Sequence, residues 1–157
     1  MKNIKKIFVI VFVLFISVIL TGCSNKKSIT SSEFYDIMSG EGFNLTDATE
    51  QFGENNSLNK VYVAQDKNYE YQVEFYEFKT DSDAISSYNI NKDEFENSKT
   101  GNSSQSEIGV KNYNKYTLKS GGTYKLVSRI DNTMIYVDVE ENNEKNIKDI
   151  LKKLGDY

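Results

Sequence analysis

The chain is 157 residues long, with 19 Lys and Arg against 23 Asp and Glu, no His, no Pro, no Trp and a single Cys. That length suits one domain, and the acidic balance argues against nucleic acid, which asks for clustered Lys and Arg. Without His there is no imidazole ligand or base, and one Cys allows neither an internal disulfide nor a Cys-rich zinc site.

Met1 to Lys6 carries Lys2, Lys5 and Lys6 and no acid, and Ile7 to Leu20 follows as an apolar run broken only by Ser17. As a helix of about 1.5 Å rise per residue this run spans roughly 21 Å, short of the ~30 Å hydrocarbon core. It therefore reads as the apolar region of a secretory signal rather than a permanent span. Leu20-Thr21-Gly22-Cys23 then resembles the lipobox of bacterial lipoprotein precursors, in which a hydrophobic residue and two small ones precede an obligatory cysteine. Small residues at Thr21 and Gly22 let an extended backbone enter a protease cleft.

The resemblance implies that the Cys23 thiol takes a diacylglyceryl group as a thioether, with palmitate among its acyl chains, and that cleavage falls between Gly22 and Cys23. Two buried acyl chains at about 0.8 kcal/mol per CH₂ hold a protein firmly where one is marginal. The expected organisation is a signal over 1–22, a lipidated Cys23 with a short tether over 23–29, and a single domain over 30–157. With the signal lysines inside, that domain stands on the extracytoplasmic side of the cell membrane. Removing those three lysines leaves 16 basic against 23 acidic side chains, a formal −7, so an anionic membrane surface should repel the domain. In overall organisation the mature region is similar to small lipoproteins of Gram-positive bacteria, a likeness that implies no activity.

Along the mature region, Thr30 and Glu33 have capping-box spacing, with Phe34, Ile37 and Met38 as an apolar helical face ending at Gly40 and Gly42. Phe43-Asn44-Leu45 reads as a short extended piece and 53–59 as loop. Val61 to Ala64 and Tyr69 to Phe78 form a hairpin. The alternation of Tyr69, Tyr71, Val73 and Phe75 changes parity at Tyr76 and Phe78, which calls for a bulge near Phe75 or burial of both faces. Thr80 or Asp81 caps a helix reaching about Ser98, with Ala84, Ile85, Tyr88 and Phe95 on one side. The polar stretch 101–109 reads as a flexible loop. Strands over 110–118, 124–130 and 134–139 follow, joined through Gly121-Gly122 and through Asp131-Asn132. Ile147, Ile150, Leu151 and Leu154 mark a last helix that Gly155 ends. The expected fold is α+β, an antiparallel sheet of about five strands with helices packed on one face, in the order α-β-β-α-β-β-β-α.

Candidate sites are few. Asn89, Asn91 and Asp93 have the first three spacings of an EF-hand loop, but Glu94 stands where Gly is needed and Thr100 where Glu is needed, so a solvated helix face is the simpler reading. Glu140, Glu141 and Glu144 read as negative charge at a helix start. No nucleophile elbow is present and no pair of carboxylates is singled out, so no catalytic residue, metal or cofactor is assigned. The remaining feature is aromatic: Tyr113, Tyr116, Tyr124 and Tyr136 on three successive strands, with Arg129, the chain's one arginine, among them. Side chains facing outward would make a surface for an envelope protein, a peptide or a glycan. Packing between sheet and helix is the competing reading for each Tyr, and pairing with a neighbouring acid the competing reading for Arg129. The sequence thus points to a membrane-tethered, non-catalytic binding module that contacts its partner through the Tyr-rich face or the 101–109 stretch. A small envelope hydrolase using carboxylates is the alternative.

Overall fold

In the computed structural model, residues 25–52 and 57–157 are described; the expected signal and the expected cleavage and lipidation site at Gly22 and Cys23 lie outside them. The elements in chain order are α1 (Ser31–Gly40), β1 (Asn44–Asp47), β2 (Leu58–Gln65), β3 (Gln72–Phe78), α2 (Asp81–Asn97), β4 (Ser103–Val110), β5 (Tyr113–Ser120), β6 (Thr123–Ile130), β7 (Thr133–Glu140) and α3 (Glu144–Lys153). The strands make one seven-stranded antiparallel sheet in the spatial order β1-β2-β3-β7-β6-β5-β4.

This corrects the expected fold class: the order is α-β-β-β-α-β-β-β-β-α rather than α-β-β-α-β-β-β-α, and the strand number and helix placement differ too. The sheet has seven strands rather than five, because Asn44–Asp47 pairs fully with β2 and the expected 101–109 loop is instead strand β4, paired residue for residue with β5. The helices lie on both faces rather than one. Phe34 and Met38 of α1 join Ile147, Ile150, Leu151 and Leu154 of α3 over one face, whereas Ala84, Tyr88 and Phe95 of α2 cover Tyr116, Leu118, Val127 and Met134 on the other. Burial of both faces also accounts for the parity change in β3. Its pairing runs unbroken through Phe75, which faces α1, while Tyr76 and Phe78 face α2.

Local chemistry sets the element ends. Thr30 and Glu33 form the expected capping box, and the Thr80 hydroxyl accepts from the Asp83 N–H to start α2. Gly121 and Gly122 sit at φ +58 and +81, the left-handed pair that a two-residue turn between β5 and β6 requires. The β2–β3 hairpin is wider than its alternation suggested, because the Asp66 carboxylate draws three amides inward. It accepts from the N–H groups of Asn68 (2.9 Å), Glu70 (2.6 Å) and Tyr71 (3.0 Å), and β3 starts only at Gln72. Burial opposes ionisation of Asp66, but those three donors outweigh it and hold the carboxyl below its ordinary range.

Asp66→Ala is therefore expected to cost about 1–2 kcal/mol at neutral pH. A depressed carboxyl contributes stability above its unfolded value and loses it as the pH falls through the folded one. The gap between wild type and variant should then shrink below about pH 4 in urea titrations.

Candidate functional site

β5 carries two different faces. Tyr116 and Leu118 point under α2, whereas Tyr113, Lys115, Thr117 and Lys119 alternate with them on the side that α1 and α3 share. On that side α1 packs over β1, β2 and β3, and the α3 stripe packs against the aromatic and aliphatic residues of β6 and β7. The β4–β5 pair beyond α3 is left open. The result is a shelf of about 510 Å³, floored by β4 and β5, walled by Glu144 and Lys148, and closed at one end by Lys26 and Asp156. Its volume falls in the usual range for small-ligand sites.

The shelf is cationic in a chain whose net charge is negative: Lys26, Lys115, Lys119 and Lys148 line it against Glu144 and Asp156. Glu144 holds two of the lysines, bonding Lys119 closely and Lys148 at 2.6 Å, and these partners keep its carboxyl below the usual range. Glu141 adds a longer contact to Lys119 at 3.6 Å, so the acidic run after β7 grips the rim of the shelf. Lys115 differs from its neighbours. Its ammonium donates to the main-chain oxygen of Tyr157, and burial lowers its pKa, with the charges of Lys26 and Lys148 acting in the same direction and Asp156 opposing. Lys26 lies 4.2 Å over the ring of Tyr113 and donates to the Asp156 carbonyl. The Tyr124 ring completes the floor, and burial pushes its hydroxyl up to about 12. Such a site suits an anion: ammonium groups are gathered on a Tyr floor, with the hydroxyls of Ser104, Ser106 and Thr117 beside them.

The five residues singled out in the sequence do not form one surface. Tyr113 and Tyr124 are buried on the α1–α3 face, where both line the shelf. Tyr116 and Arg129 are buried beneath or beside α2, and Tyr136 is half-buried with its ring 5.3 Å from Phe95. The competing packing reading describes the four tyrosines better. Arg129 neither faces solvent nor pairs with an acid on the next strand. Its Nε and Nη2 both donate to Asn114 Oδ1, at 3.0 and 2.7 Å, and its Nη1 donates to the Asp131 carbonyl at 2.8 Å. Asn89, Asn91 and Asp93 lie along α2, with the Asn91 amide donating to the Ser87 carbonyl. The lysines of β5 were passed over in the sequence, although their alternation with Tyr116 and Leu118 is the signal that would have found them.

Near Arg129, Tyr88 carries a buried hydroxyl with no hydrogen-bond partner among the described residues. Removing an orphaned polar group spares its desolvation cost, so Tyr88→Phe is expected to leave stability unchanged or raise it by up to about 1 kcal/mol. A thermal melt of the two proteins checks this.

The arm before α1 is part of the domain rather than a free tether. The Lys26 N–H donates to Asn112 Oδ1 (3.2 Å), and Asn112 returns a bond to the Lys26 carbonyl (2.8 Å). The Asn112 amide also reaches Asp131 Oδ1 at 2.9 Å, and the Ile29 N–H donates to the Tyr157 hydroxyl at 3.1 Å. Lys26 thus sits fixed at the end of the sheet that carries the β4–β5 and β6–β7 turns, three residues from Cys23. Among the described residues no helix is long and apolar enough to cross a membrane.

No protein-family model and no curated protein matches the chain. Among solved structures, a GTP-binding regulator from Thermotoga maritima is similar at 14% identity and a TM-score of 0.49, over 81% of this chain and 88% of that one.

Proposed function

We propose that the protein is a lipid-anchored module on the extracytoplasmic side of the membrane, and that it binds an anionic partner on the lysine shelf between α3 and β4. The observation that carries the anchor is the sequence itself: three lysines, a short apolar run and Leu20-Thr21-Gly22-Cys23 in register. The pinned arm supports it physically. Only Ser24 and Asn25 separate Cys23 from the fixed Lys26, a reach of about 10 Å at most, so an anchored domain would stand directly on the bilayer with its turn-bearing end down. The shelf supports the binding half of the reading, because it gathers four lysines on a chain whose net charge would otherwise repel anions.

The experiment is metabolic labelling with palmitate followed by fractionation, on wild type and Cys23→Ala. Wild type is expected to carry label and stay with the membrane. The variant should lose the label and appear either unprocessed or released. Label retained by the variant contradicts the reading.

A further inference from the structure

The two edges of the sheet are treated differently. At one edge β1 is four residues long, and α1 packs against it. At the other, β4 runs for eight residues in unbroken register with β5, and every one of its residues is exposed. Glu107 is its one charged side chain; among the described residues it has no Pro, no Lys, no bulge and no covering helix, while Ile108 and Val110 stand 47% and 56% exposed. Among the described residues, the outer main-chain groups of β4, on the side away from β5, face no further strand of the sheet. The lysine shelf adjoins this edge and runs along it, from Lys119 and Ser104 at one end to Lys26 and Ile108 at the other.

Resting on the binding-module reading, we propose that the free edge of β4 and the shelf beside it together receive an extended acidic segment of a partner protein, added to the sheet as an eighth strand. The bare edge supplies main-chain pairing, and the shelf supplies selection, since alternate side chains of an added strand project over the face that carries the lysines. Charge decides the occupant. A second copy pairing through its own β4 brings a single acid per strand, Glu107, and sets two domains of formal charge −7 side by side. An acidic extended segment instead meets Lys26 and Lys115, whose ammonium groups bond only main-chain oxygens among the described residues, beside Lys119 and Lys148, which Glu144 already holds, and it relieves the mutual repulsion around Lys115.

The test uses the lipid-bearing protein in detergent with three synthetic eight-residue peptides. One alternates Glu with Thr and Val, the second replaces each Glu by Gln, and the third keeps Glu but is N-methylated at every residue so that neither of its edges can donate to a ladder. Hydrogen exchange over 103–110 is read alongside affinity. The acidic peptide is expected to bind and to slow exchange in β4, while the Gln and N-methylated peptides bind at least about tenfold more weakly. Lys26→Gln combined with Lys148→Gln should reduce the preference for Glu over Gln. Equal binding of the Gln peptide, binding without protection of 103–110, no binding of the acidic peptide, or concentration-dependent self-association that protects β4 would each overturn the proposal. Palmitate on Cys23 is read on the same sample, so failure of the anchor and failure of strand addition are separable.

Discussion

Tyr157→Ala is expected to destabilise the domain by about 3–5 kcal/mol, the range for truncating a large buried aromatic side chain. The Tyr157 side chain is fully buried in the cluster that joins α1, α3 and the sheet. Its hydroxyl sits in a relay: the Ile29 N–H donates to it, and it bonds closely with the Thr133 hydroxyl, which in turn donates to the Ile130 carbonyl at 2.8 Å. Thr133 has spent its own proton on Ile130, so Tyr157 is the donor between the two hydroxyls. One side chain thereby ties the arm before α1 to the start of β7. Gly155, at φ +90, turns the chain off α3 so that Tyr157 can enter the core. Tyr157→Phe keeps the ring and loses only the relay, with an expected cost of about 1–2 kcal/mol. Urea unfolding of the three proteins checks both numbers. The Ala variant should also free residues 26–29 to hydrogen exchange before the rest of the domain.

Arg129→Ala is expected to cost about 3 kcal/mol without altering the shelf, which lies on the opposite face of the sheet. The guanidinium is buried and holds both Asn114 and the Asp131 carbonyl, so its removal empties a packed volume and strands two polar partners. Burial lowers its pKa, and the nearby charges of Asp81 and Asp131 oppose that shift, which leaves a structural cation under α2 rather than a ligand contact. Arg129→Met, which retains most of the volume, should recover part of the loss. Binding of an acidic peptide should be indifferent to either variant, whereas a ligand-holding arginine would abolish binding when removed. Calorimetric unfolding and peptide affinity on the same variants separate the two roles.

The legible parts of the fold are those where one residue type has one local consequence. Thr30 with Glu33 starts α1, Gly121-Gly122 and Asp131-Asn132 turn the chain, and the stripe from Ile147 to Leu154 buries one side of α3. What could not be read depends on long-range pairing. β4 has the sequence SSQSEIGV, with no buried face to impress a period-two pattern, and it is a strand because β5 offers it a ladder. Phe43-Asn44-Leu45 reads as a short extended piece, but its place in the sheet as β1 depends on pairing with β2. Placement of α2 on the far face follows from the sheet being apolar on both sides, which the parity change at Tyr76 and Phe78 announced without saying what would cover it. At the candidate site, aromatic residues drew attention because Tyr is common in binding surfaces, yet in a sheet covered on both faces Tyr and Arg are core material. The lysines of β5 lie on a stretch of the α1–α3 face beyond α3, and their meaning emerges only once the position of α3 is known.

Attachment of the domain to the membrane through Cys23 is tested by the mass of the N-terminal peptide of protein extracted from membranes. The chain is expected to begin at Cys23 and to carry a diacylglyceryl group on that residue's sulfur. A chain that begins at Met1, or a Cys23 with a free thiol, would contradict it.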